Sequence, residues 1–393
     1  MIRTFRARAI RTPFHAVPAL CGGGLAAIAL LAALWLAAPP GAAAQVWSPA
    51  PDAPFAWTRF DAEYSFATGK VYFLGGRLPQ GAAPDTDGSI WSWDPITGNY
   101  ADTGIDMPAP VSNYSIARLV DTSGVEALVT FGGRATGGGV VNTVQAYYPA
   151  TNSTATFSSD PLPISTSPGG VDVVDGIAYV FGGFDATVMT ADTFIFDIAA
   201  ADGFRWTTGP ALGAASAYHG TAVVDGVLYA IGGDTWDGTT LFARATVEKL
   251  DTTQPVLAWD DAGVADLPVA CDEMRAYGFD SDSGYTLAGQ IVVAGCGQWP
   301  NEIAESLLYD VATNTWDQTF PDLNQARRNH AGAFLPNGPG AGGLPGLWIW
   351  GGRQGSDATL LATPEYYGIP PTPIIFLDGF ETGTTERWSL SLP

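Results

Sequence analysis

The sequence predicts an all-β, six-bladed propeller, and three observations carry that prediction. A glycine pair closes a short apolar run at VYFLGG (Gly75, Gly76), VTFGG (Gly132, Gly133), YVFGG (Gly182, Gly183), YAIGG (Gly232, Gly233) and WIWGG (Gly351, Gly352), with a degenerate copy at VVAGCG (Gly295, Gly297). The steps between first glycines are 57, 50, 50, 63 and 56 residues, the period of a propeller blade and not of a helical solenoid. Composition agrees: glycine is abundant at 48 residues, only 14% of the chain is charged, and no stretch after residue 45 sustains a helical apolar period.

Each copy carries the same grammar, which resolves it into four strands, here called a to d. A hairpin lies upstream of each glycine pair, clearest in VVDGIAYVFGG and VVDGVLYAIGG, where Asp175-Gly176 and Asp225-Gly226 form two-residue type I′ turns between a and b. The glycines end strand b, where the chain turns through backbone angles costly for other residues. Strand c ends at Trp93, Tyr148, Phe196, Leu250, Tyr309 and Tyr367, and four of these six precede an Asp. Strand d carries Tyr100, Phe157, Trp206, Trp259 and Trp316; the sixth copy has no such residue. Gln45-Val46-Trp47-Ser48 reads as that missing strand, so the ring is expected to close through its N-terminal strand and leave no open edge.

A Gly-Gly pair followed by Tyr-Asp and then Trp resembles the kelch repeat, and the resemblance covers roughly residues 46 to 368. It implies a kelch-type β-propeller. It does not imply one activity, because kelch propellers include oxidases, epimerases and binding modules.

The first 44 residues read as an export signal: Arg3, Arg6, Arg8 and Arg11 start a segment whose stretch Ala19 to Ala38 is apolar, and Ala42-Ala43-Ala44 offers a cleavage site. The expected organisation is therefore a signal peptide over 1–44, the propeller over 45–368, and a proline-rich linker with a tail over 369–393. That tail, Asp378-Gly379-Phe380-Glu381-Thr382-Gly383 with Trp388-Ser389, resembles a DGFE(S/T)G…WS motif of exported bacterial proteins, which implies secretion or a periplasmic location in a Gram-negative cell. Without the signal, 13 basic residues face 39 acidic ones, a formal charge of −26. Such a surface repels nucleic acid and anionic membranes. A monomer with no cofactor is expected.

Two cysteines remain, Cys271 on the connection into blade 5 and Cys296 at the end of its strand b, on the same face; a disulfide is expected in an oxidising compartment. Strands alternate direction, so the b–c and d–a connections share one face. These connections are long and irregular, for example 77 to 89, 234 to 245 and 262 to 275, and they nominate that face for binding.

There Arg77, Arg134 and Arg353 follow the glycine pairs of blades 1, 2 and 6, neighbours once the ring closes, while Phe184, Asp234 and Gln298 stand at or near that register in blades 3, 4 and 5. An arginine arc suits a carboxylate, which the planar guanidinium meets with two parallel hydrogen bonds. Arg275, Arg328, Asp234, Trp236 and Trp299 complete the candidate ligand-binding set, the tryptophans as stacking surfaces. The reading is an exported module that binds a glycan or protein ligand, an acidic one included.

Two enzymatic alternatives follow from the resemblance. A periplasmic epimerase or mutarotase like those acting on sialic acid would draw its acid/base pair from Asp272, Glu273, Arg275 and Arg328. A galactose-oxidase-like copper site would need two histidines and two tyrosines on one metal. The processed chain holds only His219 and His330, one blade apart. No catalytic residue and no metal ligand is assigned.

Overall fold

The six repeats become six four-stranded antiparallel sheets; in blades 1, 2, 3 and 5 each strand pairs with the next along the chain. The computed structural model describes residues 45–79, 81–82, 85–298, 300–338, 343–355 and 359–372, all within the unit Ala44–Pro393. Strand a of blades 1 to 6 is Ala62–Ser65, Ser115–Val120, Ser167–Val174, Gly220–Val224, Arg275–Gly278 and Ala331–Leu335. Strand b is Lys70–Arg77, Glu126–Phe131, Ile177–Phe184, Val227–Ile231, Gln290–Gln298 and Gly346–Trp350. Strand c is Thr86–Asp94, Val144–Tyr148, Met189–Phe196, Val247–Asp251, Asn301–Asp310 and Glu365–Gly368. Among the described residues there is no helix.

The expected a–b turns form as the sequence dictates. Asp175-Gly176 and Asp225-Gly226 have positive φ at both positions, 51° and 79°, then 50° and 76°, the backbone a type I′ hairpin requires.

The glycine pairs join neighbouring blades. The N–H of the second glycine donates to a carbonyl ahead of the next blade's strand a: Gly133 to Thr166 at 2.9 Å, Gly183 to Ser216 at 2.9 Å, Gly233 to Cys271 at 2.7 Å and Gly352 to Trp57 at 2.9 Å. The first glycine permits this approach. At Gly232, with φ 60°, a Cβ would lie 2.3 Å from the Cys271 carbonyl oxygen, so any side chain would push blades 4 and 5 apart.

The strand d aromatics complete the same junctions from outside. Trp259 packs on Phe181 of the preceding blade at 5.0 Å and donates to Thr193 Oγ1 at 3.0 Å. Trp206 likewise faces Phe131 at 5.7 Å. The core therefore lies between blades, where fully buried aromatic and branched side chains contribute most of the stabilisation.

Ring closure occurs through the N-terminal strand. Ser48–Pro49 pairs antiparallel with Glu365–Gly368 as the outer strand of blade 6. Trp47 is 2% exposed and sits 5.7 Å from Tyr367, and Asn324 Nδ2 donates to its carbonyl at 2.9 Å. Blades 1 and 6 then share one cluster in which Trp93 meets Trp348 at 4.6 Å.

Cys271 and Cys296 are disulfide-bonded, with Cα atoms 5.1 Å apart. Cys296 occupies the place of a second glycine, and Gly297, not Gln298, stands at the register that Arg77, Arg134 and Arg353 hold in their blades, bridging to Asp272 ahead of strand a. The segment 234 to 245 also departs from expectation. It contains a hairpin, Asp234–Trp236 with Leu241–Ala243, because Asp237 accepts the N–H groups of Thr239 and Thr240 at 2.8 Å and folds the tip. The stretch expected as a linker starts docked: Ile369 is buried, and Thr372 donates to Gly284 O at 2.9 Å. The expected signal peptide and the DGFE-type motif lie outside the described residues.

Candidate functional site

Immediately ahead of strand a, five blades carry a non-glycine residue in the left-handed region: Arg59 (φ 57°), Asn113 (51°), Tyr218 (61°), Glu273 (50°) and Asn329 (54°). This geometry is costly for bulky side chains and persists where the surroundings enforce it. Here the enforcement is a chain of inter-blade backbone hydrogen bonds. Glu273 N donates to Tyr218 O at 3.0 Å, Asn329 N to Glu273 O at 3.0 Å, Arg59 N to Asn329 O at 2.9 Å and Asn113 N to Arg59 O at 2.9 Å. The result is a rigid arc around the axis on the long-loop face, interrupted at blade 3, where strand a begins earlier with Ser167.

The predicted arginines gather on this arc. Short bridges fix their register: Thr58 with Arg77, Ser112 with Arg134 and Arg328 with Arg353. Arg353 is pushed down to about 9, by burial first and then by Arg59, with Arg328 and Arg77 adding to the effect and Glu273 opposing it. Arg77 is lowered for the same reasons, burial first and then Arg59. Guanidiniums from blades 1, 2 and 6 thus crowd one another on a chain of net charge −22. Arg77 and Arg134 are half-buried, whereas Arg328 and Arg353 are buried.

Opposite the arginines stands an acidic group. Glu273 accepts from Arg328 Nη1 at 2.8 Å and from Asn329 Nδ2. Behind it, Asp234 and Asp272 lie in the blade 4–5 junction at 1% and 0% exposure. Burial, then the adjacent Asp272 and Glu273 carboxylates, push Asp234 far above the usual carboxylate range. Gly297 makes room for Asp272, whose Oδ1 would sit 1.9 Å from a Cβ there. Tyr218 joins both halves: burial raises its hydroxyl, Arg134 pulls it down and Glu273 pushes it up.

Beneath the arc a cavity of about 530 Å³ follows the axis, from Arg59, Tyr218 and Glu273 at one end to Phe66 and Phe334 at the other. Burial pushes its carboxyls up, Asp61 to about 6, Glu63 to about 7 and Asp172 to about 6. Arg275 lies in this channel away from the arginine arc, paired with Asp61 Oδ1 at 2.9 Å.

Trp236 is half-buried on the blade 4 hairpin, 5.2 Å from Phe184. Trp299 lies outside the described residues. His219 and His330 are buried; burial lowers both, His219 to about 3, and they bond Ser216 Oγ at 3.0 Å and Ala294 O at 3.1 Å. Neutral histidines so placed serve packing. Among the described residues no three His, Cys, Asp or Glu side chains converge as metal ligands, and no helix is long and apolar enough to cross a membrane.

Sequence reasoning missed Arg59, Asn113, Tyr218 and Asn329. Their signal is positional, the residue directly before Phe60, Tyr114, His219 and His330 in each repeat.

No protein-family model matches the sequence. The chain is similar to the Kelch-like protein terF of Aspergillus terreus, 26% identical over 257 residues, which is 63% of this chain and 52% of that protein. It thus spans about half the length of the curated relative it matches. Its fold is similar to the solved structure of YjhT, with a TM-score of 0.61 and 17% identity over 80% of this chain and 95% of the other. Neither similarity favours the epimerase or oxidase alternatives. The blade order and the structural similarity make the chain a six-bladed β-propeller, and its repeat is similar to that of a kelch-like protein.

Proposed function

We propose that the protein is an exported binding module that holds a carboxylate-bearing ligand, on a glycan or a protein, at the arginine arc of its long-loop face. The observation that carries this reading is the crowding of guanidiniums from three adjacent blades on an otherwise acidic chain. An anionic ligand relieves their mutual repulsion, and Arg59, Arg77 and Arg134 are the half-buried members with surface left to meet it. The rigid arc beneath them supports the reading, since preorganised donors lose little entropy on binding. Export is supported by the basic, apolar and small-residue order of residues 1–44 and by the disulfide.

The test is thermal shift of the processed chain with trigalacturonate, N-acetylneuraminate and an acetylated hexaglutamate peptide, each against its uncharged counterpart. A ligand that binds only the folded state raises the melting temperature. At least one anion should do so, and the Arg77→Ala/Arg134→Ala double variant should lose the shift while keeping its own melting temperature within about 2 °C. A shift that survives the double variant places the ligand elsewhere on the ring.

A further inference from the structure

The arginine arc ends against an apolar step. Arg134 Nη2 donates to Phe184 O at 3.4 Å, and its guanidinium lies 5.8 Å from the Phe184 ring. Phe184 in turn packs on Trp236 at 5.2 Å and on Tyr218 at 6.5 Å. Phe184, Met189 and Ala217 form a small cluster of their own, with Tyr218, Trp236 and Leu241 laid on it, each half-buried. Beside them Val188 is 64% exposed. It sits on the same tight loop as Asp185, which Arg134 helps to hold below its usual range after three hydrogen bonds from Thr187 and Val188.

The hairpin that carries Trp236 and Leu241 is not part of the blade 4 sheet, which is complete without it. A two-stranded hairpin alone is marginal in water. This one is held by the Asp237 tip and by pressing Trp236 onto Phe184, so it presents an ordered wall with Trp236 and Leu241 directly paired. Cationic arc and apolar wall meet at Arg134, within one side chain's reach. A sugar acid would use the arginines and leave Val188 and Leu241 in water; a peptide with a bulky side chain next to its carboxylate uses both.

We infer that the ligand is an extended protein segment in which an acidic residue is flanked by a bulky apolar one, the acid at Arg77 and Arg134 and the apolar side chain on Trp236, Leu241 and Val188. This rests on the carboxylate reading above and narrows it from glycan or protein to protein. Charge complementarity commits the occupant: the acidic chain at large repels an acidic segment, whereas this patch joins the crowded guanidiniums of the arc to apolar surface.

The experiment is fluorescence-anisotropy binding of four acetylated, amidated peptides to the processed chain: Gly-Gly-Asp-Phe-Gly-Gly, Gly-Phe-Asp-Gly-Gly-Gly, Gly-Gly-Asp-Gly-Gly-Gly and Gly-Gly-Asn-Phe-Gly-Gly, with trigalacturonate as competitor. At least one of the two Asp/Phe peptides should bind roughly tenfold more tightly than the Asp/Gly peptide and resist the competitor. Trp236→Ala should erase that advantage without changing Asp/Gly binding. Val188→Asn, an uncharged change at an exposed position, should do the same if Trp236→Ala fails to fold. Equal binding of the Asp/Phe and Asp/Gly peptides, or tighter binding of trigalacturonate, overturns the inference and leaves the carboxylate reading standing. Equal binding of the Asn/Phe peptide overturns the carboxylate reading instead, and absence of all binding overturns both.

Discussion

Blades 5 and 6 hold the same register by opposite means. Blade 5 is fixed by a covalent link between residues only 25 apart, Cys271 and Cys296, and its arc position is acidic, with Glu273 next to Asp272. Blade 6 borrows its outer strand from the other end of the chain, and its junction is cationic, with Arg327, Arg328 and Arg353 all buried. Inside it Arg327 pairs with Glu365 at 2.8 Å and donates to the carbonyls of Gly351 and Thr363. Beside blade 5, burial and the neighbouring carboxylates push Asp234 far above the usual carboxylate range. The blade 6 junction is held instead by arginines, whose buried charge is met by carboxylates and carbonyls such as Glu365, Gly351 O and Thr363 O.

The comparison breaks most decisively at the borrowed strand. Deleting residues 45 to 50 removes Trp47 from its buried site and exposes the edge of Glu365–Gly368; a loss of roughly 5 kcal/mol is expected. An unchanged melting curve would refute closure through this strand. Next in size is Arg327→Ala, which leaves Glu365 buried at 1% exposure beside no cation and should cost about 3–5 kcal/mol by chemical denaturation. The blade 5 tie should be worth less. Cys271→Ala/Cys296→Ala is expected to cost about 3 kcal/mol, and the wild type should yield no free thiol when labelled denatured and unreduced.

The smallest effect concerns the channel carboxyls and depends on pH. Asp61, Glu63 and Asp172 hold their protons longer in the folded protein than in the unfolded chain. Their contribution to stability is therefore full below about pH 4 and lost as the pH rises through 6 to 7. Glu63→Gln removes the part that belongs to Glu63. It should stabilise the protein by about 2 kcal/mol at pH 8 and leave it unchanged at pH 4; equal effects at both pH values would show that folding does not shift the Glu63 carboxyl.

Much of the ring was legible because its rules are local. Gly232-Gly233 announces a junction where a Cβ would strike the next blade, and Asp225-Gly226 announces a turn with two positive φ angles. Trp47 and the absent aromatic of blade 6 announce each other across the whole chain. The arc was not legible, because Arg59, Asn113, Tyr218, Glu273 and Asn329 share a backbone angle and no chemistry. The hairpin Asp234–Trp236 with Leu241–Ala243 was read as irregular loop, since three-residue strands carry too few residues to show alternation.

By itself the sequence determined what repeats: six blades, their glycine junctions, the ring closure and the pairing of Cys271 with Cys296. Each of these depends on residue type at a fixed spacing, and spacing is written in the chain. Only the tertiary structure decided that Arg77 and Arg134 keep exposed surface while Arg353 is buried, that Arg275 belongs to the channel, and that Asp234 shares its surroundings with Asp272 and Glu273. Those relations join residues from different blades. Their energies depend on burial and on distances across the ring, which no single repeat contains.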